Sequence, residues 1–410
     1  MSSDHTPFQR LYTSTLLGHF AKHRQMMLVQ GPRQVGKSTV GEEVLRHHGA
    51  GLFLNWDLPA DRALIVSGPE AVAEAAGASK LADIRPLIVL DELHKYVGWR
   101  DFLKGLFDGY WRQCHILVTG SAKLGLFNRG GDSLSGRYFQ LNMHPLSVGE
   151  LLHRSAIEAP LASPPQPMTG DDWAALLTFG GFPEPYFSRD LAFWRSWQKV
   201  RFQAAFEEEI RDITFVRKMA QIDLLASLLV SQSGQVANYD GLGKKIQVSS
   251  PTVREWVELL RAVYFGFELR PWSNNIERSL LKQPKWYAAD WSLVEDPGFR
   301  FESLVAAHLK KSVDYWNDTG VGDFGLHYIR DKQGREVDFL VSRDQEPWLL
   351  VEAKLSDTSL TPELLHFQGV LKPEYAVQVV QEMPFQSLPI QAARGRCVAM
   401  SAQSFLSQLV

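Results

Sequence analysis

The feature that most constrains this chain is a phosphate-binding loop pattern close to the N-terminus. Residues 26–30 (Met-Met-Leu-Val-Gln) form a short apolar run that predicts a buried strand. Residues 31–38 (Gly-Pro-Arg-Gln-Val-Gly-Lys-Ser) then match the pattern Gly-x-x-x-x-Gly-Lys-Ser. Residues 38–46 predict a helix whose positive N-terminal end points at the same anion. A strand, this loop and a helix in succession predict a nucleotide-binding α/β fold.

The residue types in the loop indicate what each would do. The glycines let successive backbone N–H groups point inward at a polyphosphate. Lys37 supplies a positive charge for the β- and γ-phosphates, and Ser38 supplies a hydroxyl for Mg²⁺. ATP and Mg²⁺ are therefore the expected cofactors. The predicted nucleotide-binding residues are Gly31, Pro32, Arg33, Gln34, Val35, Gly36, Lys37, Ser38 and Thr39.

A second apolar run ends in two acidic residues. Residues 87–90 (Leu-Ile-Val-Leu) predict a buried parallel strand, and Asp91 and Glu92 follow directly. Ligands of an open α/β sheet bind at the carboxyl ends of its strands, so both carboxylates are expected beside the loop. Asp91 is predicted to hold Mg²⁺, directly or through water, and Glu92 to act as general base for the attacking water. The alternative is a strand that ends in a solvated acidic turn.

Two more positions are candidates for contact with the γ-phosphate. Residues 115–119 predict a strand beside the acidic one, which would place Thr119 or Ser121 near the attacking water. Arg137 follows a Gly-containing segment and is a candidate arginine finger, with Arg129 as a weaker rival. The alternatives are an ordinary turn after the strand and a surface salt bridge at Arg137.

Length and composition limit the possible classes of protein. A chain of 410 residues, 45% of them hydrophobic, predicts two or three well-packed domains. The net charge of −3 gives no overall attraction to nucleic acid, so any such binding needs a local patch. The sequence shows no secretion signal and no membrane-spanning run, and Cys114 and Cys397 form no metal-spaced pair. A reduced, cytoplasmic location without a membrane partner is the expectation.

The apolar pattern predicts four parts. Residues 1–157 alternate strands with helices, which predicts a parallel sheet wrapped by helices. Residues 158–170 contain four prolines and predict a linker. Residues 171–290 predict a mainly helical region, and residues 291–410 a mixture of helices and short strands. The fold class is therefore α/β. The strands predicted in the first part are 26–30, 52–56, 87–91, 115–119 and 138–142.

A helix-turn-helix pattern lies in the helical region. Residues 240–246 predict a short helix, residues 247–249 a turn, and residues 250–260 a second helix with Ser250 as its N-cap. The pattern predicts a winged-helix module, whose second helix can enter a major groove. The outward face of that helix carries Glu255 and is not strongly basic. A DNA reader and a structural lid over the nucleotide are both open interpretations.

Two strands near the C-terminus carry a second set of charged residues. Residues 335–341 and 348–354 predict strands joined by a turn, which lets acidic and basic side chains converge. Two carboxylates there can hold Mg²⁺, and an ammonium can orient a metal-bound water for attack on a phosphodiester. The alternative is an exposed hairpin with ordinary surface charges. The predicted catalytic residues are Asp338, Glu352 and Lys354, and the predicted metal ligands are Asp338, Glu352 and, from a helix beginning at Phe301, Glu302.

Together these residues resemble one group of proteins, the bacterial and archaeal AAA-type ATP-binding proteins with a DUF4143 C-terminal region. The resemblance covers nearly the whole chain and rests on the loop, the acidic strand and several shorter motifs. These motifs are Asn55 with Asp57, Thr119-Gly120-Ser121, residues 134–137, Pro145-Leu146-Ser147, residues 180–184, residues 209–213, residues 284–287, Phe301-Glu302, residues 336–339 and Glu352-Ala353-Lys354.

The resemblance implies an AAA-like P-loop core, a helical segment with a winged helix, and a C-terminal domain similar to PD-(D/E)XK nucleases (a restriction-endonuclease-like α/β domain). Val337 stands where the nuclease pattern often has proline. The predicted function is Mg²⁺-dependent ATP hydrolysis that drives domain motion and acts on DNA. The alternative is an ATP-controlled switch or protein remodeller whose nuclease-like domain has decayed into a docking module. A protein partner and a homo-oligomer are further expectations, and a small-molecule kinase is a weaker one.

Overall fold

The computed structural model describes most of the chain. The described residues are 8–78, 84–120, 134–152, 159–204, 219–273 and 283–410. They fall into two compact units, one up to His144 and one from Pro145 onward. Within these ranges, none of the helices combines the length and the apolar character needed to cross a membrane.

A parallel sheet forms the centre of the first unit. Its described strands are β1 (Met26–Gln30), β2 (Gly51–Asn55), β3 (Leu87–Asp91), β4 (His115–Gly120) and β5 (Tyr138–Asn142). They pair in the order β2-β3-β4-β1-β5, and every pair is parallel. β1, β3 and β4 are buried along their whole length, as continuous apolar runs predict. The sheet predicted from the sequence is confirmed, with each strand end within one residue of its expected position.

One helix precedes these strands and the others lie between them. They are α1 (Leu11–Lys22), α2 (Lys37–His48), α3 (Pro59–Val66), α4 (Pro69–Ala75) and α5 (Trp99–Tyr110). α5 shows why such segments are helical, because its apolar residues recur on one face and join the core beside the sheet. α2 starts directly after the phosphate loop and ends at Gly49, whose φ of 85° suits glycine.

The second unit begins with a mainly helical region, as the sequence predicts. Its helices are α6 (Val148–Leu152), α7 (Gly170–Phe179), α8 (Pro183–Ser188), α9 (Leu191–Ala204), α10 (Met219–Ser231), α11 (Tyr239–Ile246) and α12 (Ser250–Ala262). β6 (Gly266–Leu269) and β7 (Lys285–Ala288) pair antiparallel after them. The prediction of Ser250 as the N-cap of α12 is wrong. Ser249 is extended, and its hydroxyl accepts the Thr252 N–H at 3.3 Å, so α12 is capped one residue earlier.

The proline-rich segment 159–169 is irregular, as its prolines require. It nevertheless packs within the second unit. The Gln166 N–H donates to Ser407 Oγ at 3.1 Å, and the Met168 N–H donates to Gln403 Oε1 at 3.0 Å. The domain boundaries predicted from the sequence stay predictions.

A second sheet forms the C-terminal part of this unit. The elements are α13 (Pro297–Asp318), β8 (Phe324–Arg330), β9 (Glu336–Arg343), β10 (Glu346–Lys354), α14 (Pro362–Leu371), β11 (Tyr375–Val380), β12 (Cys397–Ser401) and α15 (Ala402–Leu406). The described strands run in the order β12-β11-β10-β9-β8. Strands β8, β9 and β10 pair antiparallel, and β10, β11 and β12 pair parallel.

Local sequence accounts for two boundaries of this region. Asp344 and Gln345 have φ of 51° and 68°, which makes a tight hairpin turn between β9 and β10 and confirms the predicted strand pair. The helix predicted to begin at Phe301 begins at Pro297 instead. The reason is Asp296, whose Oδ1 accepts the Phe299 N–H at 2.9 Å and caps the helix a full turn earlier.

Candidate nucleotide site and a second charged cluster

The phosphate loop lies between β1 and α2 and has the backbone its glycines predict. Gln34 and Gly36 have φ of 62° and 99°, so the chain passes twice through the left-handed region. A Cβ at Gly31 would lie 2.2 Å from the carbonyl oxygen of Met143. Only glycine fits at position 31, because that carbonyl closes over the first residue of the loop.

Lys37 is buried at the start of α2 and turns back over the loop. Its Nζ donates to the carbonyl oxygen of Gly31 at 3.0 Å and to that of Pro32 at 2.8 Å. Both acceptors are neutral. Phosphate oxygens would be stronger partners for the ammonium, because a hydrogen bond between two ionised groups is stronger than one to a neutral acceptor. Ser38 and Thr39 are exposed in the first turn of the same helix.

Arg10 supports the loop from the segment before α1. Its guanidinium donates to the carbonyl oxygen of Val35 at 2.5 Å and to that of His144 at 2.6 Å. The side chain is buried, so it fixes the loop from within the unit. No pattern in the sequence points to Arg10, because it precedes the first strand and belongs to no spacing motif.

Asp91 ends β3 beside the loop. Its Oδ2 accepts from Ser38 Oγ at 2.8 Å and from Asn55 Nδ2 at 3.1 Å, and its Oδ1 accepts from Thr119 Oγ1. The strand order explains this meeting, because β4 lies between β1 and β3 and β2 flanks β3. Burial raises the pKa of Asp91, although the hydrogen bonds from Thr119 and Ser38 oppose that rise.

Ser38 and Asp91 fit a magnesium ion that accompanies a triphosphate. Their hydroxyl and carboxylate oxygens are hard donors 2.8 Å apart at the start of α2. Asn55 and Thr119 hold the carboxylate from two neighbouring strands and orient it. Asn55 had no predicted role, because only the sheet order brings it to this position.

Glu92 follows with a left-handed backbone, φ 55°. Such a conformation costs a non-glycine residue about 1–3 kcal/mol and is common at functional sites. Its Oε2 lies 3.4 Å from Lys95 Nζ and 3.7 Å from His94 Nε2. Lys95 also pairs with Asp57 at 2.6 Å. The carboxylate predicted as general base is thus held at the carboxyl edge of the sheet.

Two residues predicted to contact the γ-phosphate lie outside the described residues. The roles of Ser121 as sensor and of Arg129 as the weaker arginine-finger candidate therefore stay predictions. Thr119, the alternative sensor position, directs its hydroxyl to Asp91.

Arg137 lies at the amino ends of the strands, whereas the loop lies at their carboxyl ends. It precedes β5, whose first residue Tyr138 pairs with Met26 at the start of β1, whereas the loop follows the end of β1. Its Nε and Nη2 donate to the carboxylate of Asp108 on α5 at 2.8 and 3.0 Å. A role as arginine finger therefore requires the nucleotide of a neighbouring copy, and it stays a prediction.

A second group of charged residues lies on β9 and β10. The Asp338 N–H donates to Glu352 Oε2 at 3.4 Å, and the Ala353 N–H donates to Asp338 Oδ2 at 2.9 Å. Lys354 Nζ donates to Glu352 Oε1 at 2.8 Å. The pairing of the two strands thus brings the three predicted residues together.

Glu302 on α13 reaches the same place, and so does a lysine to which the sequence assigned no role. Tyr287 OH donates to Glu302 Oε1 at 2.7 Å. Lys285 Nζ lies 2.7 Å from Glu336 Oε1, 3.5 Å from Glu302 Oε1 and 3.9 Å from Asp338 Oδ1. The carboxylate cluster, as named below, consists of Glu302, Glu336, Asp338 and Glu352.

Burial and mutual repulsion perturb these acids. Burial, and secondly the charge of Asp338, raises the pKa of Glu302 to about 8 and that of Glu352 to about 7. Burial likewise raises the pKa of Asp338. Burial lowers the pKa of Lys285, but the surrounding carboxylates outweigh it and raise that pKa. A cluster of this kind favours bound protons or a bound cation.

The carboxylate cluster does not fit a metal ion. In the part of the chain that the structure describes, no group of three or more His, Cys, Asp or Glu side chains is arranged to hold one. The carboxylates are engaged instead by backbone N–H groups, Tyr287 and two lysines. Ligation of Mg²⁺ by Asp338, Glu352 and Glu302 stays a prediction without support from this geometry.

Three protein-family models match successive parts of the chain. An AAA domain matches residues 23–152, a domain of unknown function (DUF8612) matches residues 170–296, and a second one (DUF4143) matches residues 297–391. The AAA match and the parallel order of the first sheet identify a P-loop ATPase fold.

Relatives and similar structures are distant. Two uncharacterised proteins, from Mycobacterium bovis and Mycobacterium tuberculosis, are each 23% identical over 361 residues, which is 80% of this chain and 72% of theirs. A Walker-type ATPase of Pyrococcus abyssi is 14% identical, with 72% of this chain and 97% of that chain covered and a TM-score of 0.42. AMPPCP-bound DnaA from Aquifex aeolicus is 9% identical, with 63% and 93% covered and a TM-score of 0.31.

Proposed function

We propose that this chain, which carries an AAA domain followed by a DUF4143 domain, hydrolyses ATP with Mg²⁺ at the loop of residues 31–38. The observation that carries the proposal is the 2.8 Å hydrogen bond between Ser38 Oγ and Asp91 Oδ2. It joins the hydroxyl and the carboxylate that P-loop ATPases use for their metal ion, between the first turn of α2 and the end of β3.

Binding and orientation of ATP fall to the loop and the first turn of α2. The backbone N–H groups of the loop surround the phosphates, and Lys37 exchanges the carbonyl oxygens of Gly31 and Pro32 for phosphate oxygens. Ser38 and Asp91 would hold the magnesium ion, which when bound neutralises charge on the β- and γ-phosphates. Arg10 keeps the loop in shape through Val35.

Proton transfer falls to Glu92. Its carboxylate accepts a proton from the attacking water, and the ion pair with Lys95 fixes the direction of that carboxylate. Thr119 contacts both acidic residues, since its hydroxyl donates to the Asp91 carboxylate and its carbonyl oxygen accepts the backbone N–H of Glu92 at 3.1 Å. Ser121 is proposed as γ-phosphate sensor from its position after β4.

Phosphate release from ATP by the full chain tests this proposal. Removal of the Lys37 charge by Lys37→Ala should lower kcat by about 10²–10³, the usual cost of losing one preorganised charge partner. The matched control is Lys104→Ala, which removes an exposed lysine on α5 and should leave the rate unchanged. Turnover that is the same in Lys37→Ala and in the wild type would refute the proposal.

We infer further that ATP turnover moves the C-terminal parts of the chain and acts on DNA. Support comes from α11 and α12, which form a helix-turn-helix pair followed by the β6–β7 hairpin, the element order of a winged helix. Lys244, Lys245 and Arg254 are exposed on this pair and available to phosphates. Glu255 and Glu258 are exposed as well, which limits the basic character of the surface.

ATPase rates with duplex, single-stranded and branched DNA test the inferred role. Stimulation is expected, and Lys244→Ala with Lys245→Ala should remove it while leaving the basal rate unchanged. If both lysines contact phosphates, the slope of log K against log salt should fall by about one for each. If DNA neither stimulates the ATPase rate nor binds at low salt, the inferred action on DNA is refuted.

A second candidate is an ATP-controlled switch or protein remodeller in which the C-terminal domain is a docking module. The order α13-β8-β9-β10-α14-β11, with Asp338 on β9 and both Glu352 and Lys354 on β10, supports likeness to PD-(D/E)XK nucleases. The position of Lys285 among the carboxylates favours loss of cleavage. Alanine substitution of Asp338, Glu352 or Lys354 separates the candidates. Unchanged binding and cleavage of nucleic acid in these variants favours the switch. Loss of cleavage with intact ATPase activity favours a nuclease.

The cytoplasmic location, the protein partner and the homo-oligomer stay predictions.

A further inference from the structure

Lys285 lies at the centre of the carboxylate cluster, where three acidic side chains face one ammonium. The Nζ atom is within 4 Å of oxygens from Glu336, Glu302 and Asp338, which come from β9 and α13. An ammonium group has three N–H donors and no acceptor, so it can serve several carboxylates at once. Its side chain is only 5% exposed, so the ammonium itself is shielded from solvent.

The backbone of Lys285 is fixed on both sides. Lys285 pairs with Leu269 of β6 and forms an isolated antiparallel bridge with Val236. The next residue, Trp286, is buried, and its N–H donates to the carbonyl oxygen of Gln235 at 3.1 Å. The backbone pairing thus holds the Lys285 main chain beside the cluster, and the ion pairs hold its ammonium within it.

Several of the remaining carboxylate oxygens already have donors. Glu302 Oε1 accepts from Tyr287 OH, Asp338 Oδ2 accepts from the Ala353 N–H, and Glu352 accepts from Lys354. A magnesium ion requires near-octahedral oxygen ligands at about 2.0–2.1 Å. To reach these oxygens it would have to displace the donors and also lie beside the positive charge of Lys285.

We propose that Lys285 occupies the cation position of the carboxylate cluster, so that the second unit holds an internal ammonium where a metal-dependent nuclease would hold its metal ion. The positive charge that the cluster needs comes from the chain itself. The second unit therefore requires no divalent cation, and removal of this one lysine creates a cation site. This inference goes beyond the proposed ATPase and does not depend on it.

Titration of the nucleotide-free full chain with Mn²⁺, followed by the electron paramagnetic resonance signal of unbound Mn²⁺, tests the inference. The wild type and Asp338→Asn should bind Mn²⁺ equally. Lys285→Ala should gain a site at least about tenfold tighter than any in the wild type, a readily resolved change in affinity. Adding Asp338→Asn to Lys285→Ala should remove the gained site.

Two control variants assign the bound ion. Lys354→Ala removes a lysine at the rim, 34% exposed and 2.8 Å from Glu352, and should gain no site because Lys285 remains. Ser38→Ala should release any Mn²⁺ that is held at the phosphate loop. Binding at the proposed ATPase site is therefore measured separately from binding at the carboxylate cluster.

Two results would overturn the inference. One is Mn²⁺ bound by the wild type and lost in Asp338→Asn, because the cluster would then hold a metal ion beside Lys285. The other is a folded Lys285→Ala protein without a gained site. If Lys285→Ala fails to fold, the comparison of the wild type with Asp338→Asn still decides.

Discussion

The phosphate loop and the carboxylate cluster combine lysine with acidic residues in opposite ways. At the loop, Lys37 donates to two neutral carbonyl oxygens, and Asp91 accepts from hydroxyl and amide groups. In the cluster, Lys285 meets three carboxylates directly. At the loop, the partners of Lys37 and Asp91 are neutral groups that a phosphate or a metal ion can replace. In the cluster, the ammonium and the carboxylates neutralise one another within the protein. Residue types alone do not distinguish the two cases.

Two buried side chains of α13 show the same internal pattern elsewhere in the second unit. Lys311 is 2% exposed, and its Nζ donates to Glu150 Oε2 at 2.5 Å and to Ser147 Oγ at 2.9 Å. His308 Nε2 accepts the Val148 N–H at 3.1 Å, so its Nδ1 carries the proton that is donated to the carbonyl oxygen of Leu304 at 2.7 Å. Both side chains of α13 hold the segment around α6, and neither is positioned for a ligand.

The largest expected effect is on catalysis in the first unit. Glu92→Gln removes the proton acceptor and should lower kcat by about 10²–10⁴. ATP binding, measured by retention of a fluorescent ATP analogue, should persist because the loop is intact. Glu70→Gln, an exposed change on α4, is the matched control. Wild-type turnover in Glu92→Gln would mean that another group is the general base. The contrast between a catalytic first site and an internally neutralised cluster would then lose its catalytic side.

The next effect concerns stability in the second unit. Lys311→Ala leaves the buried carboxylate of Glu150 without its partner and should lower the free energy of unfolding by about 3–5 kcal/mol. Lys310→Ala, the neighbouring lysine, pairs with Asp314 at 2.5 Å but is 31% exposed, so it should cost less than about 1 kcal/mol. Urea denaturation of both variants checks this contrast. Equal losses would show that burial of the ion pair is unimportant.

Stability of the second unit should also depend on His308 below neutral pH. Burial lowers the pKa of His308 to about 3 from 6.5, so between those values the unfolded chain binds a proton that the native state does not. Relative to His308→Gln, the wild type should therefore lose up to about 1.4 kcal/mol for each pH unit of acidification below 6.5. Urea titrations of both proteins from pH 7.5 to 4.5 measure the difference, and parallel curves would contradict the prediction.

The smallest effect concerns the orientation of Asp91 for the magnesium ion at the loop. Asn55→Ala removes the amide that orients Asp91, a hydrogen bond to a charged group worth about 1.5 kcal/mol. The Mg²⁺ concentration for half-maximal turnover should rise about tenfold. Asn238→Ala, which removes the side-chain cap of α11, should leave that concentration unchanged. An unchanged value in Asn55→Ala would mean that Asp91 needs no orientation.

Sequence patterns predicted much of the first unit because its determinants are local. The AAA and DUF4143 domains are confirmed, and so are the parallel sheet and the hairpin of β9 and β10. Apolar runs specify buried strands, and the glycine spacing specifies the loop. Arg10 was missed because it precedes the first strand and belongs to no spacing motif. Asn55 was named as a motif but given no role, because only the sheet order brings it to Asp91.

The carboxylate cluster shows where such patterns fail. Asp338, Glu352 and Lys354 were predicted to converge, and their spacing on two paired strands was sufficient for that. Lys285 comes from a different hairpin, and no spacing rule links it to Asp338. Its positive charge neutralises the carboxylates that were predicted to bind a metal ion.

The number of Mn²⁺ ions bound per chain with a non-hydrolysable ATP analogue tests the contrast between the two sites most directly. The account predicts one tightly bound ion, lost in Lys37→Ala and Ser38→Ala and retained in Asp338→Asn. No bound ion in the wild type, or an ion that Asp338→Asn removes, would contradict it.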